Sequence, residues 1–159
     1  MLGIVYPSGD MQRRLLRDVY SRAGVDPSSV SFVELHGTGT LIGDMQETNS
    51  VSEVFCKDRS GPLLIGSVKS NMGHSEISSG LSSLAKVVIA MHDHALPPNL
   101  HFKQPNPDIP GLFDGRLKVV SHNLTSCLIR RRTFGLTVFV ANCFRLFSSD
   151  IFAVAVDVV

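Results

Sequence analysis

Two segments of the chain carry residue types fit for chemistry: His36-Gly37-Thr38-Gly39-Thr40 and Lys69-Ser70-Asn71-Met72-Gly73-His74. Each sets an imidazole where an apolar, strand-like run gives way to a glycine-containing turn. Two neutral imidazoles converging on one point can each donate a hydrogen bond to a single developing oxyanion. Carbanion formation and acyl transfer both need that arrangement. Read singly, either histidine is equally a structural residue at a strand end; together they read as one site. No nucleophile accompanies them. Cys56 follows a helix-like run and precedes Lys57-Asp58-Arg59, while Cys127 and Cys143 lie in an apolar tail. A reactive thiolate needs an electropositive, partly exposed pocket, and these cysteines read as small buried hydrophobes.

Other motifs are weaker. His92-Asp93-His94, with His101 nearby, has the residue types of a zinc site. Residues at i and i+2 do not share a helix face, however, and imidazoles are favoured at a helix C-terminus by its dipole, so no metal is expected. The chain holds no P-loop, no Gly-x-Ser-x-Gly elbow and no dinucleotide fingerprint.

The elements that must position the histidines follow from periodicity. Ser8 to Arg22 predicts a helix capped by Ser8, striped by Leu15, Leu16 and Val19, and ended by Gly24. Asp26-Pro27-Ser28-Ser29 is a turn. Val30 to Leu35 predicts a strand with His36 at its C-terminal end, and Asp44 to Phe55 a second helix. Leu63 to Val68 predicts a buried strand leading into Lys69. His74 to Met91 predicts the strongest helix, with Ile77, Leu81, Leu84, Val88 and Met91 as its apolar face and Gly80 and Ala85 allowing close packing. Strand, turn and helix thus occur twice with the functional loop after the strand. In open α/β sheets, ligands gather beyond the carboxyl ends of strands. From Ala95 the prolines at 97, 98, 105, 107 and 110 break any helix, and Arg116 to Val120 is a short strand. After Ser126 the composition shifts to an apolar, β-branched and aromatic run. Thr133 to Phe147, the turn Ser148-Ser149-Asp150, and Ile151 to Val159 read as a β-hairpin. Asn142, Arg145 and Asp150 interrupt the run, which falls short of the roughly 20 apolar residues of a membrane helix.

The 159 residues are one domain's worth of chain, or part of a larger domain. With 43% hydrophobic and 18% charged residues the chain can bury a core. A net charge of +1 and a pI near 7.8 leave no electrostatic footprint for nucleic acid or for an acidic partner. Three widely spaced cysteines fit neither a disulfide framework nor a zinc site, so a reducing, cytoplasmic setting is expected. Met1 to Pro7 lacks the pattern of a signal peptide, so the sequon Asn123-Leu124-Thr125 reads as a chance match.

Glu34-Leu35-His36-Gly37-Thr38-Gly39-Thr40, then Gly43-Asp44 and Glu47, then Ile65-Gly66-Ser67-Val68-Lys69-Ser70-Asn71-Met72-Gly73-His74 resemble β-ketoacyl synthases. Pro98-Asn99-Leu100-His101-Phe102 and Pro105-Asn106-Pro107-Asp108-Ile109-Pro110 resemble the segments that follow in that family. The flavour is that of the condensing domain of animal type I fatty acid synthase, over about Gly3 to Leu124. The resemblance implies an α/β fold: the C-terminal half of a thiolase-like fold, layered around a mixed sheet and incomplete. Residues 1–126 form the family part and 127–159 the divergent tail. The family's active cysteine lies in the N-terminal half, which precedes this chain. Gly135 to Cys143 faintly echoes a Gly-Phe-Gly-Gly segment that supplies an oxyanion-hole amide, with the paired glycines gone. A truncated, misassembled or decaying gene would explain such a tail.

By the same resemblance, His36 and His74 hydrogen-bond the malonyl thioester oxygen as it becomes an enolate. A helix N-terminus helps keep His74 neutral. Lys69 belongs to a polar network with Asp44 and Glu47 that orients the histidines; Asp44 and Glu47 also read as a capping box. Thr38 and Thr40 match pantetheine-binding threonines, with simple turn chemistry as their other reading. The parent reaction is decarboxylative Claisen condensation of malonyl-carrier protein with an acyl thioester. No cofactor is bound; the substrate rides on the phosphopantetheine of an acyl carrier protein. The expected partners are that carrier and the remainder of the synthase, homodimeric in the parent enzyme, with no nucleic acid or membrane. Lacking the nucleophile, the isolated chain is expected to be inactive. A non-catalytic module that docks carrier protein or synthase, and a non-functional truncated product, are the alternatives.

Overall fold

The computed structural model describes residues 7–125, 133–138 and 152–156. Helix α1 (Gly9–Ala23) begins where the Ser8 hydroxyl accepts the Met11 N–H. It ends at Gly24, whose φ of 66° suits a residue without a Cβ. Asp26 caps a 3₁₀ turn over Pro27–Ser29 by accepting the Ser28 N–H at 2.9 Å. Strand β1 (Val30–Glu34) follows, then α2 (Leu41–Phe55), β2 (Leu63–Gly66), the short α3 (Lys69–Met72) and α4 (Ser79–Asp93). The remaining strands are β3 (Ala95–Leu96), β4 (Leu117–Val119), β5 (Leu124–Thr125), β6 (Thr133–Val138) and β7 (Phe152–Val156).

The main sheet has the order β4-β2-β1-β6-β7. β1 runs parallel to both β2 and β6, with Phe32 opposite Leu64 and Phe134, and β2 runs parallel to β4. β6 and β7 pair antiparallel, Gly135 opposite Ala155, which makes the sheet mixed. The residues expected to connect these two strands, and Cys127 and Cys143, lie outside the described residues. β3 and β5 form a separate antiparallel pair. Side chains alternate across β1, so the sheet has two cores. Val33 and Leu35 face Leu16, Tyr20, Val51 and Phe55 of α1 and α2, with Tyr20 edge-on to Phe55 at 4.9 Å. Phe32 faces Val87 and Ala90 of α4.

Several boundaries differ from expectation. α2 starts at Leu41, three residues before Asp44, because Gly39 (φ 79°) turns the chain early and Thr40 takes the N-cap position. Asp44 and Glu47 therefore sit inside the helix and form no capping box. β2 ends at Gly66, and Ser67 leads into α3 rather than into a loop. The helix expected from His74 starts only at Ser79, after a 3₁₀ turn over Glu76–Ser78, so His74 is not on the N-terminus of α4.

The largest departure is the orientation of α4. Its buried residues are Ser79, Ser83, Lys86, Val87 and Ala90. The apolar stripe expected to face the core lies outside: Ile77 is 87% exposed, Leu81 71% and Val88 53%. Leu84 and Ala85 are exposed as well, and of the expected face only Met91 packs partly against a core. The face turned inward instead pairs Lys86 with the buried Glu34 and packs Val87 and Ala90 against Phe32. The exposed stripe contributes little to the folding of this chain. We expect Ile77→Lys and Leu81→Lys to change unfolding free energy by less than about 0.5 kcal/mol each. The same changes should reduce self-association in sedimentation velocity, since an uncovered apolar patch drives association.

Candidate functional site

His36 leaves the end of β1 on a loop fixed from both sides. The Glu47 carboxylate accepts the His36 N–H at 2.6 Å and the Gly37 N–H at 2.9 Å. The Ser67 hydroxyl donates to the His36 carbonyl at 3.2 Å. Gly37 has a φ of 49°, and a Cβ there would stand 2.8 Å from the Ser67 Cβ, so both conformation and space require glycine. The His36 ring is half-buried, and its Nδ1 is buried without a hydrogen-bond partner among the described residues. Burial first, then the Lys69 charge and the adjacent His74 ring, pull its pKa down to about 4, so the ring is neutral near pH 7.

His74 arrives from the other strand–turn unit. Gly73 (φ 81°) turns the chain after α3, and the Glu76 N–H donates to His74 Nδ1 at 2.9 Å. That bond assigns the ring proton to Nε2, a donor with no acceptor among the described residues. A backbone amide thus sets the tautomer of His74, and the ring is not on the N-terminus of α4. The two rings meet edge to face, with centroids 5.3 Å apart and an interplanar angle of 89°. The strand–turn units therefore bring both imidazoles to one place beyond the carboxyl ends of β1 and β2.

Glu76 holds its amide in position with a left-handed backbone, φ 45°, uncommon for a residue with a Cβ. Glu76→Gly should stabilise the chain by up to about 1 kcal/mol in chemical denaturation, the cost of that conformation. The His74 Nε2–H tautomer, read by long-range ¹H–¹⁵N NMR, should stay as it is.

Lys69 lies on α3, 8% exposed, and its Nζ has no hydrogen-bond partner among the described residues. Burial lowers its pKa, while the carboxylates of Glu47 and Glu34 act in the opposite sense. The expected pairing of Lys69 with Asp44 and Glu47 is thus redistributed: Glu34 takes the place of Asp44. Asp44 instead accepts the Gly39 N–H at 3.2 Å, and burial raises its pKa. Glu47 is buried, and desolvation pushes its pKa to about 7 against the pull of the two amides it binds. Thr38 and Thr40 face each other on the outer rim, their hydroxyls 3.2 Å apart. Each hydroxyl keeps unused capacity.

Sequence reasoning missed the floor of the site. Glu34 is fully buried; its Oε1 accepts the Val68 N–H at 2.5 Å and its Oε2 pairs with Lys86 Nζ at 2.7 Å. Asn99 accepts the Ser67 N–H at 3.1 Å, and Asn71 donates to the Pro98 carbonyl at 3.1 Å, so the proline-rich segment straps the β2–α3 turn. A signal was present. Glu34 is the one charged residue in β1, on the same strand face as Phe32, and Lys86 shares a helical face with Ser79, Ser83 and Ala90.

The other candidate groups do not join this site. Cys56 is buried, its Sγ donating to the Arg116 carbonyl at 3.4 Å, and burial raises its pKa, which suits a packed thiol and not a nucleophile. His92 pairs with Asp93 at 2.8 Å, and among the described residues no three metal-ligating side chains converge. No described helix is long and apolar enough to cross a membrane.

Comparisons with known proteins bear on the family and the fold. Residues 2–103 match the family described as beta-ketoacyl synthase, C-terminal domain. A highly reducing polyketide synthase of Aspergillus terreus is 48% identical over 118 residues, covering 74% of this chain and 4% of that protein. A fatty acid synthase of the goose Anser anser anser is 51% identical over 94 residues, covering 59% of this chain and 26% of that sequence. Among solved structures, the ketosynthase from module 1 of the bacillaene synthase of Bacillus amyloliquefaciens superposes with a TM-score of 0.78 at 28% identity, over 86% of this chain and 26% of that one. The module 6 ketosynthase of Bacillus subtilis gives 0.77 at 35% identity, over 86% and 25%. The chain thus spans about a quarter, or far less, of these relatives' length. The fold is the C-terminal half of a thiolase-like ketosynthase fold. The chain belongs to the β-ketoacyl synthase family and carries part of its C-terminal domain.

Proposed function

We propose that this chain supplies the decarboxylating half of a condensing active site. Its two histidines would bind the thioester oxygen of a malonyl group carried on the phosphopantetheine arm of an acyl carrier protein. The supporting observation is the pair of rings at 5.3 Å, with His74 Nδ1 already occupied and its Nε2–H free. In this reaction the bond from the malonyl carboxylate to its α-carbon breaks and CO₂ leaves. The electron pair moves onto the thioester oxygen, where His36 and His74 donate. The enolate carbon then attacks an acyl thioester, whose carbon–sulfur bond breaks as the new carbon–carbon bond forms. The cysteine bearing that acyl group would come from the other half of the domain. In this reading Lys69 and Glu47 orient the histidines, and Asp44 holds the turn that follows His36 by accepting the Gly39 N–H. Thr38 and Thr40 meet the amides of the pantetheine arm.

The exposed stripe of α4 supports a covering partner, the remainder of the synthase polypeptide, within a homodimeric parent enzyme. The reading as an animal fatty acid synthase is one of two forms the relatives allow; a polyketide synthase is the other, and it is the commoner kind among similar proteins. We assign the chain to the cytoplasm, where a free thiol such as Cys56 stays reduced. The test is complementation. This chain is mixed with a separately expressed N-terminal ketosynthase half bearing the cysteine, and CO₂ release from malonyl-carrier protein is measured. Release by the mixture, with none by either half, supports the reading. A stable complex that releases none overturns it.

A further inference from the structure

A second layer of charge lies under the histidines. Lys69 lies near the carboxylates of Glu47 and Glu34 yet, among the described residues, is bonded to neither. Both oxygens of Glu47 hold backbone amides, those of His36 and Gly37. Both oxygens of Glu34 are also engaged, one by the Val68 N–H and one by Lys86. Lys86 is itself 8% exposed and closely confined: its Nζ lies 5.3 Å from the centre of the Phe32 ring and 3.3 Å from where a Cβ of Gly66 would stand. Two lysines therefore compete for one buried carboxylate, and the lysine on α4 occupies it.

We propose that Lys86 is a positioning residue: by saturating Glu34 it keeps the Lys69 ammonium unpaired beside His36. An unpaired cation there acts on the ring as a full charge and favours its neutral, donating form. If Lys69 closed onto Glu34, the pair would be nearly neutral and the effect on His36 would fall. Among the described residues, the titratable groups facing this pocket are Glu34 from β1, Asp44 and Glu47 from α2, Lys69 from α3, Lys86 from α4, and His74 from the loop between α3 and α4. Of these, Lys69 and His74 act on the His36 ring directly, and Lys86 reaches it through Glu34 and Lys69. The inference rests on the reading of His36 as a donor, but its test needs no turnover, so the two can fail separately.

The His36 ring is titrated by NMR in the full chain, in parent and variants. Lys86→Met should raise its midpoint from about 4 by on the order of one unit, because Lys69 moves onto Glu34. Lys86→Gln, which keeps a donor to Glu34 without the charge, takes its place if the methionine variant does not fold, with a rise in the same direction. Lys86→Arg should restore the parent midpoint. Val87→Ala, which loosens the same helix without touching the ion pair, should leave the midpoint unchanged. The proposal is overturned if the midpoint stays put in both folded Lys86 variants, or moves as far in Val87→Ala. It is overturned equally if Lys69→Met, in an otherwise unaltered chain, fails to raise the midpoint, since Lys69 would then exert no effect to preserve.

Discussion

Removing either imidazole from a reassembled condensing domain is expected to slow malonyl decarboxylation by on the order of 10²–10³-fold. That is the usual consequence of deleting one oxyanion donor, about 3 kcal/mol of transition-state stabilisation. His74→Ala is the sharper test. Its side chain is exposed, so unfolding free energy should move little while the rate falls. His36→Ala also opens a half-buried position and should cost some stability beyond the rate. The double variant should fall short of the product of the two single losses, because two donors to one oxygen act as a unit. The acid limb of the rate profile carries a further expectation. His36 donates as the neutral ring and is held neutral down to about pH 4, so its own protonation should not limit the rate above about pH 5. Equal rates for parent and His74→Ala would show that the second ring has no part in the reaction.

Replacing Glu47 with glutamine should change how stability responds to pH more than any other single substitution in this site. Burial raises the Glu47 pKa from 4.5 to about 7. In the window between those values the folded state binds the proton that the unfolded state has lost. Stability from this group is therefore full below about pH 4.5 and is lost as pH rises through 7. The shift corresponds to about 3 kcal/mol. Glutamine has no such titration, so Glu47→Gln should gain on the parent by about 3 kcal/mol between pH 4 and pH 8, read from urea midpoints across that range. His36 acts in the opposite sense. Its pKa falls from 6.5 to about 4, so the stability it carries is full above 6.5 and is lost as pH falls through 4. The two opposing slopes overlap between about pH 4.5 and 6.5, which flattens the parent profile there. A difference between parent and Glu47→Gln that does not vary with pH would mean that Glu47 titrates as an exposed carboxylate. It would then not be the buried clamp that holds the His36 and Gly37 amides.

The residues that could be read from the sequence were those whose role is written in local order. His36 and His74 each follow an apolar run and adjoin a glycine, so strand, turn and imidazole were legible without a fold. Ser8 and Gly24 fixed the ends of α1 because capping depends on the neighbouring backbone alone. Glu34 and Lys86 were illegible for the opposite reason: they stand 52 residues apart, and neither is unusual until the other is beside it. The start of α4 was misread because a helical period continued through residues that the chain instead spends on a 3₁₀ turn to present the Glu76 amide to His74. The face of α4 was misread because periodicity identifies an apolar stripe but not what covers it.

The sequence by itself determined the family, the two strand ends that carry the histidine motifs and the residue types of those motifs. These depend on motifs and on local hydrogen bonding, which neighbouring residues encode. Only the tertiary structure decided that the rings meet edge to face and that Glu47 clamps the first loop. It also decided that the buried Glu34 pairs with Lys86 and that the apolar stripe of α4 faces outward. Burial and pairing of charge are properties of distance through space, and a carboxylate removed from water takes whichever cation the fold brings within reach.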